Sequence, residues 1–382
     1  MNHFKNQGKM PGQLRMLAIV ISTGILFASC KKDVEQQEEG PVAQMKIQSA
    51  SVFTTVHAGQ SINAAVNAAP ANSIIRVEPG IYSEAINFDK PGMQIIGTAE
   101  GVIIQNPGGE NNGIRVGSDG DGFVLKQVTI KDFLRNGLFM SGVDNFLLSH
   151  VTAINCGVYG LYPVRANNGK MEHCTASGHT DSGIYIGQSS NVEVSYNHAF
   201  GNVIGIEIEN CENVTASHNQ AYNNVAGILV TLLPPNERRT ILVGEDNFIT
   251  NNHVYNNNLE NFATGGLAAF VPRGTGILIV GSDRTTVEKN NVSQNQFVGI
   301  ATVSTAILGL LAGAPLPRID EIEPNPDGTR IIKNVLNNNG TLAPAGLPLP
   351  ATELLWDGSG NNNCWKNNNY SSSFPSSLPQ CN

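Results

Sequence analysis

The sequence predicts an all-β solenoid in which short parallel strands stack rung upon rung. Two observations carry this prediction. Glycines followed by a branched apolar residue recur at Gly113, Gly137, Gly160, Gly183, Gly205 and Gly227, with separations of 24, 23, 23, 22 and 22 residues. Each opens a strand-like run: GIRV, GLFM, GLYPV, GIYI, GIEI and GILV. One strand signal per period of this length marks a stacked repeat, whose units bury their apolar sides only against their neighbours. Alternation within a run turns Ile206 and Ile208 to one side and Glu207 and Glu209 to the other.

The elements then follow in order. Residues 1–29 read as a targeting segment, with Lys5, Lys9 and Arg15 ahead of an apolar stretch, LAIVISTGILFA, too short for a comfortable membrane span. Cys30 and a charged tether fill residues 30–52. Residues 53–72 hold a short capping helix, with Ser61 as N-cap and Ile62, Ala65, Val66 and Ala69 on one stripe. Such a plug is needed because the open end of a β-stack is a template for aggregation. The coil is expected over 73–345 and a C-terminal cap or tail over 346–382. There Cys364 and Cys381 flank a Ser/Asn/Pro-rich stretch, and in an oxidising compartment a disulfide between them would pin the tail over the last rung. Cys156, Cys174 and Cys211 fall on rungs and read as small buried hydrophobes.

A second β-prone stretch follows each glycine run (FVLKQVTI, FLLSHVTA, VEVSYNHA) and leads into a polar turn. In the corner after it, Val128, Val151, Cys174, Asn197, Asn219, Asn252 and Asn290 occupy equivalent positions, with Asn334 nearly so. Stacked asparagines form hydrogen-bonded ladders, and asparagine tolerates the left-handed backbone of tight corners. Three insertions interrupt the later rungs, near 231–245, 259–274 and 303–327. Insertions in repeat proteins map to loops, which either bind partners or cover a sheet.

Candidate chemistry lies on the outward side of the strands after each glycine. Up the stack this column reads Arg115, Phe139, Tyr162, Tyr185, Glu207, Leu229 and Leu278. With rungs ~4.8 Å apart, Tyr162, Tyr185 and Glu207 form a strip of aromatics ending at a carboxylate, flanked by Arg165. Glu207 and Glu209 face the same way on one strand. Their spacing suits an acid and base pair for glycoside hydrolysis, oxygen ligands for calcium, or a solvated acidic face. Tyr162, Tyr185 or His179 are the nearby groups able to take a proton. No Cys/His spacing of the zinc kind occurs. Loss of Lys5, Lys9 and Arg15 with the signal takes the basic count from 23 to 20 against 31 acidic side chains, about −11, which disfavours nucleic acid as a partner.

Two resemblances extend this reading. LFASC resembles a bacterial lipoprotein signal, with Cys30 the acylated residue and Phe27 a departure at the third position before it. The tether KKDVEQQEEG looks like the export tag of surface lipoproteins in Bacteroidota, which implies lipid anchoring at the outer membrane or cell surface. The repeats, with the opening SINAAVNAAP…IIRVEPGIYSE, resemble the pectin lyase-like superfold of pectate lyases, polygalacturonases and pectin methylesterases. They are more similar still to β-helix repeat lipoproteins of unassigned activity, in the group that includes NosD-like proteins. The resemblance implies a single-stranded right-handed parallel β-helix. It brings no catalytic residue: the GDVDFIFG-like and LGRPW-like motifs of the esterases, the NTD, DD, GHG and RIK motifs of polygalacturonases, and the DPHD motif of alginate epimerases do not occur.

The expected function is a surface lipoprotein that binds an acidic polysaccharide through Tyr162, Tyr185, Arg165 and Arg115, and that cleaves or epimerises it with Glu207 and Glu209, with or without calcium. The alternative is a non-catalytic envelope or adhesion module that binds a protein partner through its inserted loops; a NosD-like metal-handling role stands behind both.

Overall fold

Each rung folds into three short strands rather than the two that the repeat suggests. In a representative turn of the coil, Asn136–Ser141 is followed by Leu147–Ser149, Thr152–Ile154 and then the next glycine strand, Tyr159–Val164. The β-prone stretch after each glycine run bends in its middle, where a residue takes a positive φ: His150, His173, Tyr196 and His218 at 56°, 53°, 59° and 57°. The computed structural model describes residues 52–382, so the signal segment, Cys30 and nearly all of the tether lie outside it.

The strands assemble into three parallel sheets. The first has twelve strands and contains Leu147–Ser149; the second has ten and contains Thr152–Ile154; the third has eleven and contains the glycine strands. Pairing is in register throughout, so inward side chains stack into one continuous core that includes Ile114, Leu138, Leu161, Ile184, Ile206 and Ile228. The recurring glycines are required by close approach rather than by unusual φ. A Cβ at Gly137, Gly160 or Gly205 would lie 2.7, 2.4 or 2.6 Å from the glycine carbonyl oxygen of the next rung, well inside van der Waals contact.

The asparagine ladder is present and is buried from Asn197 to Asn334. Asn197, Asn219, Asn252, Asn290 and Asn334 each donate a backbone N–H to the side-chain oxygen of the next member, ending at Asn368. Each side-chain nitrogen also donates to a backbone carbonyl, as Asn219 does to Val194 at 2.8 Å. Polar groups this deep must be satisfied, and these are. The left-handed residue is the one before each ladder asparagine, not the asparagine itself. A second ladder stands five residues on, at Asn202, Asn224, Asn257, Asn295 and Asn339. His179 heads it, fully buried, with Nδ1 2.8 Å from the Cys156 carbonyl.

The ends differ from expectation in extent. Only Ile62–Ala68 is helical in the N-terminal cap; Phe53–Val56 is already a strand of the first sheet. Ser61 caps the helix by accepting from the Ala64 N–H, and Ile62 and Val66 face the core. The coil continues past residue 345, because Thr352–Trp356 and Cys364–Lys366 extend the third and first sheets. Cys364 is joined to Cys381 by a disulfide, and Cys156, Cys174 and Cys211 are free and buried.

Candidate functional site

The outward column of the third sheet changes character along its length. Asn87 and Arg115 are exposed, and Phe139 and Tyr162 are half-buried. From Tyr185 on the column is covered: Tyr185 4%, Glu207 6%, Leu229 5%, Leu278 8%, and Ala301 and Leu355 1% each. The inserted segments lie over this half. Leu233, Ala268, Val271, Leu308 and Leu316 from the insertions pack on Leu229, Leu278 and Leu355 as a second apolar cluster outside the coil. The insertions therefore roof the sheet, with the apolar run Ala306–Ala312 forming a helix that turns Leu308 inward.

Polar contacts fasten the edge of this roof beside the acidic strand. Asn210 donates its amide to the Leu233 and Ile241 carbonyls at 2.9 and 2.8 Å and accepts from the Leu233 N–H at 2.8 Å. Gln188 donates to the Arg238 carbonyl at 3.0 Å and accepts from the Thr240 N–H at 2.8 Å. The Arg239 guanidinium pairs with Glu209 at 2.6 Å, both groups largely buried. Arg239 lies in an insertion without repeat signal, so no periodic pattern places it opposite Glu209.

Glu207 and Glu209 do come together under the roof, in company the sequence columns did not include. The Ser182 hydroxyl lies between two carboxyls, in a close contact with Glu207 and 3.2 Å from Asp181. Asp181 in turn faces the Tyr159 hydroxyl. Burial is the main cause of the Asp181 pKa rising to about 7, with Tyr159 and Ser182 holding it down and Glu209 adding to the rise. Burial, then the charges of Asp181 and Glu209, pushes the Glu207 carboxyl well above the ordinary range. Burial likewise raises Tyr162 to about 12 and lifts Tyr159 and Tyr185 well above 10. At neutral pH these tyrosines keep their protons and act as donors, and the Asp181 carboxyl is poised between its two forms.

Where the cover begins, a groove of about 370 Å³ opens to solvent. Tyr159, Tyr162 and Asp181 form its floor; Arg135 flanks it from an earlier rung, and Arg238 and Thr264 from the insertions stand at its other side. Of the residues expected to act, Tyr162 faces this groove. Tyr185, Glu207 and Glu209 sit under the roof, and Glu207 lines an apolar cavity of about 50 Å³ there rather than the groove. Arg165 and Arg115 are exposed on the uncovered rungs, with Arg165 3.3 Å from the Ser141 hydroxyl. His179 faces the coil interior, and burial lowers its pKa, so it is a structural imidazole. Among the described residues the one convergent set of three acidic, histidine or cysteine side chains is Glu212, Glu245 and Asp246, and Arg284 pairs with two of them at 2.6 and 2.8 Å. Glu209 is committed to Arg239 and Asn210 to backbone, and among the described residues no third acidic, histidine or cysteine side chain converges with Glu207 and Glu209.

The sequence matches the family described as right handed beta helix region over residues 86–233. The fold is the right-handed parallel β-helix. Solved β-helix structures are similar over most of the chain. They include the A-module of the mannuronan C-5 epimerase AlgE6 from Azotobacter vinelandii, with a TM-score of 0.58 and 15% identity over 81% of this chain and 92% of that one. The A-module of AlgE4 from the same organism gives 0.55 and 14% over the same shares. An alginate lyase from Paenibacillus gives 0.52 and 12%, over 82% of this chain and all of that one. No curated protein matches the sequence. At these identities the likeness establishes the β-helix alone, and the chemistry rests on the groove.

Proposed function

We propose that this β-helix binds an acidic polysaccharide in the groove at Asp181 and acts on it by removing the proton next to a sugar carboxylate. One observation carries the reading: a carboxyl poised near neutrality lies beside protonated tyrosines in a groove flanked by Arg135 and Arg238. The arginines can hold the sugar carboxylate and stabilise the negative charge that develops on it. Asp181 in its ionised form takes the proton from the adjacent carbon. The Tyr162 hydroxyl then donates a proton to the bridging oxygen as its bond to the sugar breaks and a carbon–carbon double bond forms. Return of a proton to the carbon from the opposite face would give epimerisation instead. The shared fold with a mannuronan C-5 epimerase and an alginate lyase supports a glycan as the ligand class. Glu209 adds to the raised Asp181 pKa, and Glu207, Glu209 and Arg239 stand outside the groove lining rather than reach the substrate.

The reading includes placement at the cell surface or outer membrane through a lipid on Cys30. A protein-binding role for the insertions is less favoured, since Leu233, Ala268, Val271, Leu308 and Leu316 are committed to the third sheet, while Ile241, Phe262 and Leu310 stay exposed. The test is to incubate the purified chain with alginate, polygalacturonate and a neutral glucan, with and without calcium. Unsaturated or epimerised products from an acidic glycan, lost in Asp181→Asn, support the proposal. Neither product nor binding with any acidic glycan overturns it.

A further inference from the structure

The groove lies at a boundary, and its two sides are unequal. Toward the N-terminus the outward column stays open, through Tyr162 and Phe139 to Arg115 and Asn87. Arg115 and Tyr162 stand two rungs apart, so the open strip beside the groove is ~10 Å long, the length of a short oligosaccharide. Toward the C-terminus there is no such strip. The same column passes at once under the roof, and Arg238 and Thr264 rise at the groove as the first part of that wall. The wall is fastened: Gln188 bonds to segment 238–240, Arg239 pairs with Glu209, and Asn210 holds Leu233 and Ile241. Behind it the apolar cluster packs over Leu229 and Leu278, around an apolar cavity of about 50 Å³.

From this asymmetry we infer that the groove is blind, and that the protein takes the polysaccharide by its end, with the terminal sugar at Asp181 against the wall and the following sugars along Tyr162, Phe139 and Arg115. This rests on the reading above that the groove takes an acidic glycan, and it adds the mode of action. A chain threaded through the site in both directions would have to displace the roof. Arg115 and Arg135 lie on the open side, where they can meet carboxylates of the sugars behind the terminal one. Arg238 and Thr264 are placed to read the terminus itself.

Two measurements test the inference. With long polygalacturonate or alginate, the purified chain should release one small product from the start, while viscosity stays nearly constant. A ladder of intermediate oligomers with an early fall in viscosity means internal attack and overturns chain-end action, leaving the proposed function intact. Binding to Asp181→Asn, whose near-isosteric change keeps the fold (checked by its melting curve), gives a readout without turnover. A chain-end site counts ends, so chains tenfold shorter should half-saturate it at about one tenth of the mass concentration. Half-saturation at equal mass for both lengths overturns the inference. No binding of either glycan at any length overturns the underlying function and this inference with it.

Discussion

The outward column of the third sheet has an open half and a roofed half built on one backbone. On the open half it carries Asn87, Arg115, Phe139 and Tyr162; under the roof it carries Leu229, Leu278, Ala301 and Leu355. Side-chain chemistry therefore follows cover, as the hydrophobic effect requires. Tyr185, Glu207 and Glu209 break that rule, being polar or ionisable and yet under 10% exposed. Groups that violate the local pattern at a structural cost tend to mark functional sites. Here they underlie the groove, at the border between the two halves.

The sharpest way to break this comparison is by chemistry. Asp181→Asn should lower product formation from an acidic glycan by about 10²–10⁴-fold. If activity survives that change and dies in Glu207→Gln, the working carboxylate lies under the roof instead. Next comes packing. Leu278→Ala should destabilise the fold by about 2–5 kcal/mol, while Arg115→Ala, one column position on the open half, should stay within about 0.5 kcal/mol; urea midpoints compare them. Equal losses would mean that the roof adds nothing to the sheet beneath.

Smaller effects probe the corner and the charge. Asn252→Ala orphans groups on Asn219, Asn290 and Ala216 and should cost about 1–3 kcal/mol by the same assay. The smallest effect is the pH dependence of stability. The Asp181 pKa is about 7 in the fold against 3.8 for the free side chain. The folded state thus keeps a proton that the unfolded state releases, so this carboxyl favours the fold below about pH 4 and the advantage is lost as pH rises through 7. The melting temperature of the wild type, relative to Asp181→Asn, should fall by about a few degrees between pH 4 and 8. Parallel curves would place Asp181 in an ordinary solvated setting. Activity should move the other way, rising with the ionised fraction of Asp181.

Periodicity made the coil and its outward columns legible, because parallel pairing keeps residues one rung apart in contact. It also carries a second signal. An asparagine recurs five residues after each ladder asparagine, as in Asn219 and Asn224 or Asn252 and Asn257, and this spacing specifies the second ladder. The third strand was hidden because the bend at His150 or Tyr196 comes from residues that read equally well as strand. The site was only half legible. Tyr162 lies in a strand column, but Asp181 sits at the entrance to its strand, and Tyr159 and Ser182 are the first residues of theirs, ahead of the alternation that defines the columns. Arg238, Arg239 and Thr264 belong to insertions, where no repeat ties sequence position to place. An exposed Glu207 and Glu209 were expected for the same reason: the residues that bury them carry no periodic mark.

The asparagine ladder has a consequence for how such molecules diversify. Its backbone links span 22, 33, 38, 44 and 34 residues, yet every one closes at 2.9 Å. The ladder measures rungs and is blind to the chain spent between them. Segments of almost any length can thus be spliced in at one corner while neighbouring rungs keep their alignment. A coil of this kind is a ruled frame, on which new loops can be tried one at a time without renegotiating the rest of the structure.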